Sequence, residues 1–261
     1  MIKLEDIFVV FHPNTPLERV ALRGINLEVK EGEIVSVVGN SGSGRTSLLK
    51  FLAGHIKPSF GRLWFNDVNI SGQSIVERAS IFSSVFYDHN VGTAESLTVV
   101  ENLALASMYN QDKSFFDPAI TSDMKEIIFN QLESLGFMGL EKYIDTKVRD
   151  IPKAHRQIIA LLIAITKGAQ VILIDEHSTG LDEKSSKALL EATEKIIKTK
   201  KITTIMALSD HERAFELADR TVVLSHGQVV HDLSGIDKQN MKIEELFSFF
   251  NIVPEIKDME S

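Results

Sequence analysis

Gly39-Asn-Ser-Gly-Ser-Gly-Arg-Thr-Ser47 follows the β-branched apolar run Ile34-Val-Ser-Val-Val38 and precedes Leu48, Leu49, Phe51 and Leu52 at helical spacing. The run predicts a buried strand and the spacing a helix. Strand, glycine-rich loop and helix in that order form the context of a phosphate loop. Gly39, Gly42 and Gly44 let the backbone curl, so that successive N–H groups can point at an anion. Gly39, Asn40, Ser41, Gly42, Ser43, Gly44, Arg45, Thr46 and Ser47 are therefore candidate nucleotide-binding residues. The start of the following helix adds its positive end. Thr46 carries the hydroxyl that such loops place on Mg²⁺, and Ser47 carries a second one for the phosphates. One position departs from the motif: Arg45 stands where a lysine is usual, so the charge is kept but a compact ammonium becomes a planar fork. The plain alternative is a βα turn that binds nothing, and the flanking pattern argues against it.

Composition bounds what surrounds this loop. With 261 residues the chain has room for one large α/β domain, or a core with a subdomain. Charged residues are 25% and apolar ones 44%, ordinary for a globular protein, and the net charge of −8 argues against wrapping nucleic acid. The absence of cysteine excludes disulfides, thiol nucleophiles and cysteine-ligated metals. The longest unbroken apolar run, Ile158 to Ile165, is far too short to span a membrane. Met1-Ile-Lys-Leu-Glu-Asp6 lacks the charged start and apolar core of a signal peptide, so a cytoplasmic chain is expected unless a partner holds it at a membrane.

Along the chain, Ile7 to Phe11 predicts a strand, broken by His12-Pro-Asn-Thr-Pro16. Ile25, Leu27 and Val29 alternate with polar residues, as in a strand with one wet face. Leu63 to Phe65, the turn Asn66-Asp67, then Val68 and Ile70 read as a hairpin. With a short strand at Ile81 to Phe86, this predicts a largely antiparallel region beside the first half of the core. Leu97 to Ala106 and Met124 to Leu135 have helical spacing, with a polar loop from Tyr109 to Ser122 between them. A further helix is expected from Pro152 to Thr166, its proline suiting a first turn. Strands return at Val171 to Ile174, Thr203 to Leu208, and in a hairpin turning at His226-Gly227, and a helix from Glu183 to Thr199 joins the first two. Alternating strand and helix predicts a parallel sheet. Ile243, Leu246, Phe247 and Phe250 share one helix face, read as core docking.

Val171-Ile-Leu-Ile-Asp175-Glu176 is an apolar strand ending in two carboxylates. Asp175 suits a Mg²⁺-bound water, and Glu176 suits a general base that polarises an attacking water. A strand that simply meets solvent at two acids is the alternative. The loop upstream and Ser178-Thr-Gly-Leu-Asp182 downstream favour the catalytic reading.

With these residues in hand, the chain resembles the ATP-binding subunits of ABC transporters. The resemblance is carried by Gly39 to Ser47, Val171 to Glu176, Gly180-Leu-Asp182, Ala218-Asp-Arg220 and Leu97-Thr-Val-Val-Glu-Asn-Leu103. It implies an α/β fold: a RecA-like P-loop NTPase core with an antiparallel β subdomain and a helical subdomain. Residues 1–89 and 161–235 would form the core, 90–160 the helical subdomain and 236–261 a C-terminal tail. It also implies ATP and Mg²⁺ as cofactors, Phe11 stacked on the adenine, Thr46 and Asp175 at the metal, and Glu176 as the catalytic base. The implied partners are a transmembrane permease, a second cassette subunit and a substrate-binding protein, with no nucleic acid. The implied location is the cytoplasmic face of the plasma membrane. Glu176-His-Ser-Thr-Gly-Leu-Asp182, Gly92-Thr-Ala94 and Asp232-Leu-Ser-Gly235 resemble a little-characterised importer group, some of whose members are linked to tryptophan or other amino-acid uptake.

Several positions depart from the family pattern. Its signature Leu-Ser-Gly-Gly-Gln falls on Ile151-Pro-Lys-Ala-His155. Pro152 removes a hydroxyl and an N–H, while Lys153 and Ala154 add bulk. Arg156-Gln157 still fits, which predicts that the helix survives without its phosphate cap. The lid glutamine falls on Tyr87 and the switch histidine on Ser209, where His211 two residues on is either a substitute or, as a lone histidine more often is, structural or solvated. Phosphoryl transfer depends on several charge-stabilising contacts acting together, so slow hydrolysis is the physical expectation. Two other readings stand beside an ATPase subunit: a nucleotide-binding regulatory subunit that hydrolyses little, and an unrelated phosphate-loop kinase. The long helical stretch between the loop and Asp175 disfavours the kinase.

Overall fold

A computed structural model describes residues 1–86, 92–108, 122–135, 139–176 and 181–251. In chain order the elements are β1 (Ile2–Phe11), β2 (Arg19–Val29), β3 (Ile34–Val38), α1 (Arg45–Leu52), β4 (Phe60–Phe65), β5 (Val68–Asn69), α2 (Ile75–Arg78), β6 (Phe82–Phe86), α3 (Val99–Met108) and α4 (Ser122–Leu135). They continue with α5 (Lys153–Thr166), β7 (Val171–Asp175), α6 (Glu183–Lys200), β8 (Thr203–Ala207), α7 (His211–Leu217), β9 (Arg220–Ser225), β10 (Gln228–Ser234), α8 (Gly235–Asn240) and α9 (Ile243–Ser248). Short 3-10 turns lie at Glu141–Tyr143, Val148–Asp150 and Phe249–Asn251. The chain packs as two compact units, Met1–Ala79 with Thr203–Ser261, and Ser80–Ile202.

In the first unit, β1 pairs antiparallel with both β2 and β4, and β5 adds to β4. Ile2 and Leu4 point inward by simple alternation, yet Ile7 and Val9 are buried as well. The change of phase is absorbed at Asp6, whose φ of 47° accompanies a register shift in the pairing with both neighbours. Asn66 and Asp67 have φ values of 45° and 62°, the left-handed pair that lets a two-residue hairpin match the twist of its strands. The second group of strands in this unit places β3 between β8 and β9, parallel to both, with β10 antiparallel on β9. Every residue of β3 and β8 is buried, as expected of strands covered on both faces. Helix α1 buries Leu48, Leu49, Phe51 and Leu52, the residues whose spacing predicted it.

The second unit holds the parallel pair β6 and β7, in register from Phe82↔Val171 to Phe86↔Asp175, with α3 to α6. This corrects one expectation. The strand ending at Phe86 belongs not to the antiparallel region but to a parallel pair, because its sequence neighbours are helices and its hydrogen-bond partner comes from far along the chain. Helix α3 begins with a reciprocal cap: the Thr98 N–H donates to the Glu101 carboxylate at 2.6 Å, and the Glu101 N–H to the Thr98 hydroxyl at 3.3 Å. Asn102 is buried and ties the chain before the helix in place, accepting from the Ala94 N–H at 2.7 Å and donating to the Ala94 carbonyl at 3.0 Å. Leu97-Thr-Val-Val-Glu-Asn-Leu103 thus encodes a helix start and its anchor.

Candidate functional site

The loop 39–44 is shaped by close approaches that only glycine allows at two points. At Gly39 (φ 147°) a β-carbon would lie 2.2 Å from the Leu224 carbonyl oxygen, and at Gly44 (φ 108°) 2.8 Å from that of Ala21. The tip of the β9–β10 hairpin, His226-Gly227, reaches the same place: the Gly227 N–H donates to the Ser43 carbonyl at 2.8 Å, and the Arg23 N–H to the Gly227 carbonyl at 2.8 Å. Ser43 N–H closes the loop on the Asn40 carbonyl at 3.1 Å. Within α1, the Leu48 N–H bonds the Gly44 carbonyl at 2.9 Å. The amides of residues 44–47 lie at the start of α1, where a helix presents N–H groups toward an anion. The Ser43 hydroxyl is buried and has no hydrogen-bond partner among the described residues. A buried hydroxyl in this state costs free energy unless something accepts from it or donates to it. A curled loop, an upstream row of amides and an unsatisfied hydroxyl fit a phosphate chain.

Arg45 is the first residue of α1 and is half-buried. Its Nη1 donates to the Leu208 carbonyl at 3.1 Å. Leu208 directly follows β8 and precedes Ser209. The fork therefore links the phosphate loop to the segment after β8. A guanidinium presents five N–H donors in a planar fork, whereas an ammonium presents three on a compact head. Asp210 caps α7, accepting from the Arg213 N–H at 2.9 Å. His211, first in α7, packs edge-on against Phe250 at 4.9 Å between ring centroids. Phe11 closes β1, half-buried and paired with Arg19.

In the second unit, Asp175 is the last residue of β7 and is buried. Glu176 follows with a φ of 53°, a left-handed conformation that costs a residue with a β-carbon about 1 kcal/mol or more. This turn ends the strand at the point where the carboxylate pair is displayed. Gln157, in the second turn of α5, reaches the Phe86 carbonyl at 3.5 Å. Helix α5 does form over the segment Ile151-Pro-Lys-Ala-His155: Pro152 is its N-cap, and Arg156 accounts for the turn, donating from Nε to the Ile151 carbonyl at 2.9 Å and pairing with Glu95 at 3.7 Å. His155 packs on Tyr143 at 5.2 Å, and burial followed by the charge of Lys142 holds its pKa below the ordinary histidine value. Asp182 caps α6 through the Ser185 N–H at 3.0 Å, and its pKa is lowered first by the Ser185 hydroxyl and then by that N–H. Tyr87, His177, Ser178, Thr179 and Gly180 lie outside the described residues. Among the described residues no three His, Cys, Asp or Glu side chains gather as a metal cluster. Mg²⁺ bound chiefly by phosphate oxygens, water and one or two protein oxygens needs no such cluster.

Ala218-Asp-Arg220 has a structural account. Asp219 accepts from the Ile34 N–H at 2.9 Å and returns its own N–H to the Ile34 carbonyl at 2.8 Å. Arg220 pairs with Asp232 and Glu33 and donates to the Glu28 carbonyl at 2.7 Å. These bonds fix β9 against the start of β3, the strand that delivers the phosphate loop. The signal was present in the sequence as an acid and a base before a strand, but their partners lie too far along the chain to be named from it.

Residues 22–179 match the family model described as ABC transporter. The tyrosine transport ATP-binding protein of Clostridioides difficile (strain R20291) is 33% identical over 91% of this chain and 92% of its own length. The spermidine/putrescine import ATP-binding protein PotA of Mycoplasma mycoides is 31% identical over 81% of this chain, which spans 56% of that protein. A dimeric ATP-binding cassette in a post-hydrolysis state, bound to ADP and Pi, superposes with a TM-score of 0.74 over 90% of this chain and 98% of that one, at 23% identity. That likeness carries the fold, an ABC cassette. The family model and the relatives together carry the membership: the chain belongs to the ABC transporter family as an ATP-binding subunit.

Proposed function

We propose that this subunit binds Mg-ATP at residues 39–47 and couples that binding to transport through a membrane-spanning permease. The supporting observation is the phosphate loop itself: a cradle closed at Gly39 and Gly44, with the buried Ser43 hydroxyl unsatisfied among the described residues. Thr46 and Asp175 are the proposed metal groups, Phe11 the adenine platform and Glu176 the base. Bound Mg²⁺ would neutralise charge on the phosphates. The chain's own contribution is to orient them with the loop amides and Arg45, and to polarise an attacking water at Glu176. We keep residues 90–160 as the helical subdomain and 236–261 as the tail. The partners are a permease, a second cassette subunit and a substrate-binding protein. Among the described residues no helix is long and apolar enough to cross a membrane. The permease would hold the subunit at the cytoplasmic face of the plasma membrane. Amino-acid import is the favoured process, since the relative matched along nine-tenths of both chains is named for tyrosine transport. Calorimetry with Mg-ATP tests the central reading. Binding is expected, weakened at least tenfold by Gly44→Val and by Asp175→Asn, and no binding by the unaltered chain refutes it.

A further inference from the structure

The end of the described chain is fastened to the phosphate loop. Helix α9 buries Leu246 and runs into the 3-10 turn Phe249–Asn251. Asn40, the second residue of the loop, donates from its side-chain amide to the Phe250 carbonyl at 2.9 Å. The ring of the same Phe250 is buried and stands edge-on to His211, at 4.9 Å between centroids. Its neighbour Phe249 stacks on His231 of β10 at 3.7 Å with an interplanar angle of 22°, and Phe247 abuts Phe250 at 5.5 Å. One residue therefore touches the phosphate loop through its backbone and the segment after β8 through its ring. That segment is also held from the other side, where Arg45 bonds the Leu208 carbonyl.

From this clasp we infer that Phe250 is a positioning residue for the nucleotide site. It holds Asn40 and His211 in the arrangement that receives phosphates. The inference rests on the nucleotide-binding reading above. Its physical basis is preorganisation: a loop already ordered by remote contacts loses less freedom when a ligand arrives. The Asn40 bond is local in effect but links positions at opposite ends of the sequence, so helix propensity and core packing alone would not require it. If the turn favours the nucleotide-receptive loop, linkage demands the converse, and bound nucleotide must stabilise the turn.

The experiment uses the full chain and two readouts. Calorimetry compares Mg-ATP affinity in the unaltered protein, Asn40→Ala, Phe250→Ala and the double variant. Each single substitution is expected to weaken binding roughly three- to tenfold, the scale of one lost hydrogen bond or packed ring contact. The double variant is expected to lose less than the product of the two, because the ring contact removed in Phe250→Ala seats the backbone carbonyl that Asn40 bonds. Hydrogen exchange then follows residues 243–251, where saturating Mg-ATP should slow amide exchange in the unaltered chain and not in Asn40→Ala. Should Phe250→Ala fail to fold, Asn40→Ala carries both readouts by itself. Nucleotide binding with no change in exchange at 243–251, and full affinity in Asn40→Ala, overturns the positioning role while leaving the nucleotide site standing. No Mg-ATP binding by the unaltered chain overturns both.

Discussion

At the residue scale the informative departure is Arg45. As a bare substitution it reads as a kept charge on a different shape. The structure adds that one arm of the fork is engaged on the Leu208 carbonyl. Two outcomes separate what the rest of the group does. Arg45→Met removes every donor, and Mg-ATP affinity is expected to fall ten- to a hundredfold, the scale of charge-assisted contacts to phosphate. Arg45→Lys restores the common motif residue but gives up the Leu208 tie, and affinity is expected to stay within about threefold of the original because charge persists. Titration calorimetry of both variants decides. Unchanged affinity in Arg45→Met would mean that the guanidinium serves only Leu208 and never meets a phosphate.

At the element scale, α1 is secured at both ends. Its start carries the phosphate loop, and its far end is gripped by Arg78 of α2. That guanidinium is buried and bonds four backbone carbonyls, those of Phe51 and Leu52 where α1 ends and of Ile70 and Ser71 after β5. Burial lowers its pKa, and among the described residues no carboxylate pairs with it, so the negative end of the helix dipole is its counter-charge. Arg78→Met is expected to cost about 3 kcal/mol in denaturant unfolding, because several carbonyls are left buried and unsatisfied. A loss under about 0.5 kcal/mol would show that water replaces the guanidinium there. This element also shows where sequence reading stops. The longer periodic segments were legible: α1, α3, α5, α6 and the Asn66-Asp67 and His226-Gly227 hairpins lie where spacing and turn residues put them. Helices α2, α7 and α8 were not anticipated, since a single turn or two offers no period to read. The start of α2 did leave a local trace in Ser74 and Glu77, which cap it reciprocally. The partner of β6 left none, because strand pairing across a long sequence separation has no local signal. The candidate site divides in the same way. The loop and the carboxylate pair could be named from the sequence, while the Leu208, Gly227 and Phe250 contacts that hold the loop needed the fold.

At the scale of the whole molecule the question is how fast such a subunit turns over ATP. Glu176 is intact, and its strained backbone displays it just past the buried Asp175. By the resemblance to the family, the groups expected to act with it would be replaced at Arg45, Tyr87, Ser209 and the segment Ile151-Pro-Lys-Ala-His155. Helix α5 nevertheless forms over that segment, so the change there is in the groups offered at the helix start and not in the helix. In the cassette dimer proposed above, each site would draw on groups from both subunits, which would act on the transition state together. Groups that act as a unit are strongly non-additive, so repairing one leaves the rate limited by the others. The purified chain is therefore expected to hydrolyse ATP slowly. Arg45→Lys, Ser209→His or the signature replacement Pro152→Ser, Lys153→Gly and Ala154→Gly should each change turnover by less than about threefold. All of them together should raise it at least tenfold, read as phosphate release at saturating Mg-ATP. The combined variant carries a stability cost of about 1 kcal/mol for each glycine placed in the first turn of α5, so its melting curve is recorded alongside. Glu176→Gln is the control, because a rate it leaves untouched was never this site's chemistry. Brisk turnover by the unaltered chain that Glu176→Gln abolishes would defeat the prediction of slow hydrolysis and place the missing roles on residues already present, with Arg45, His211 and Lys153 the first to substitute.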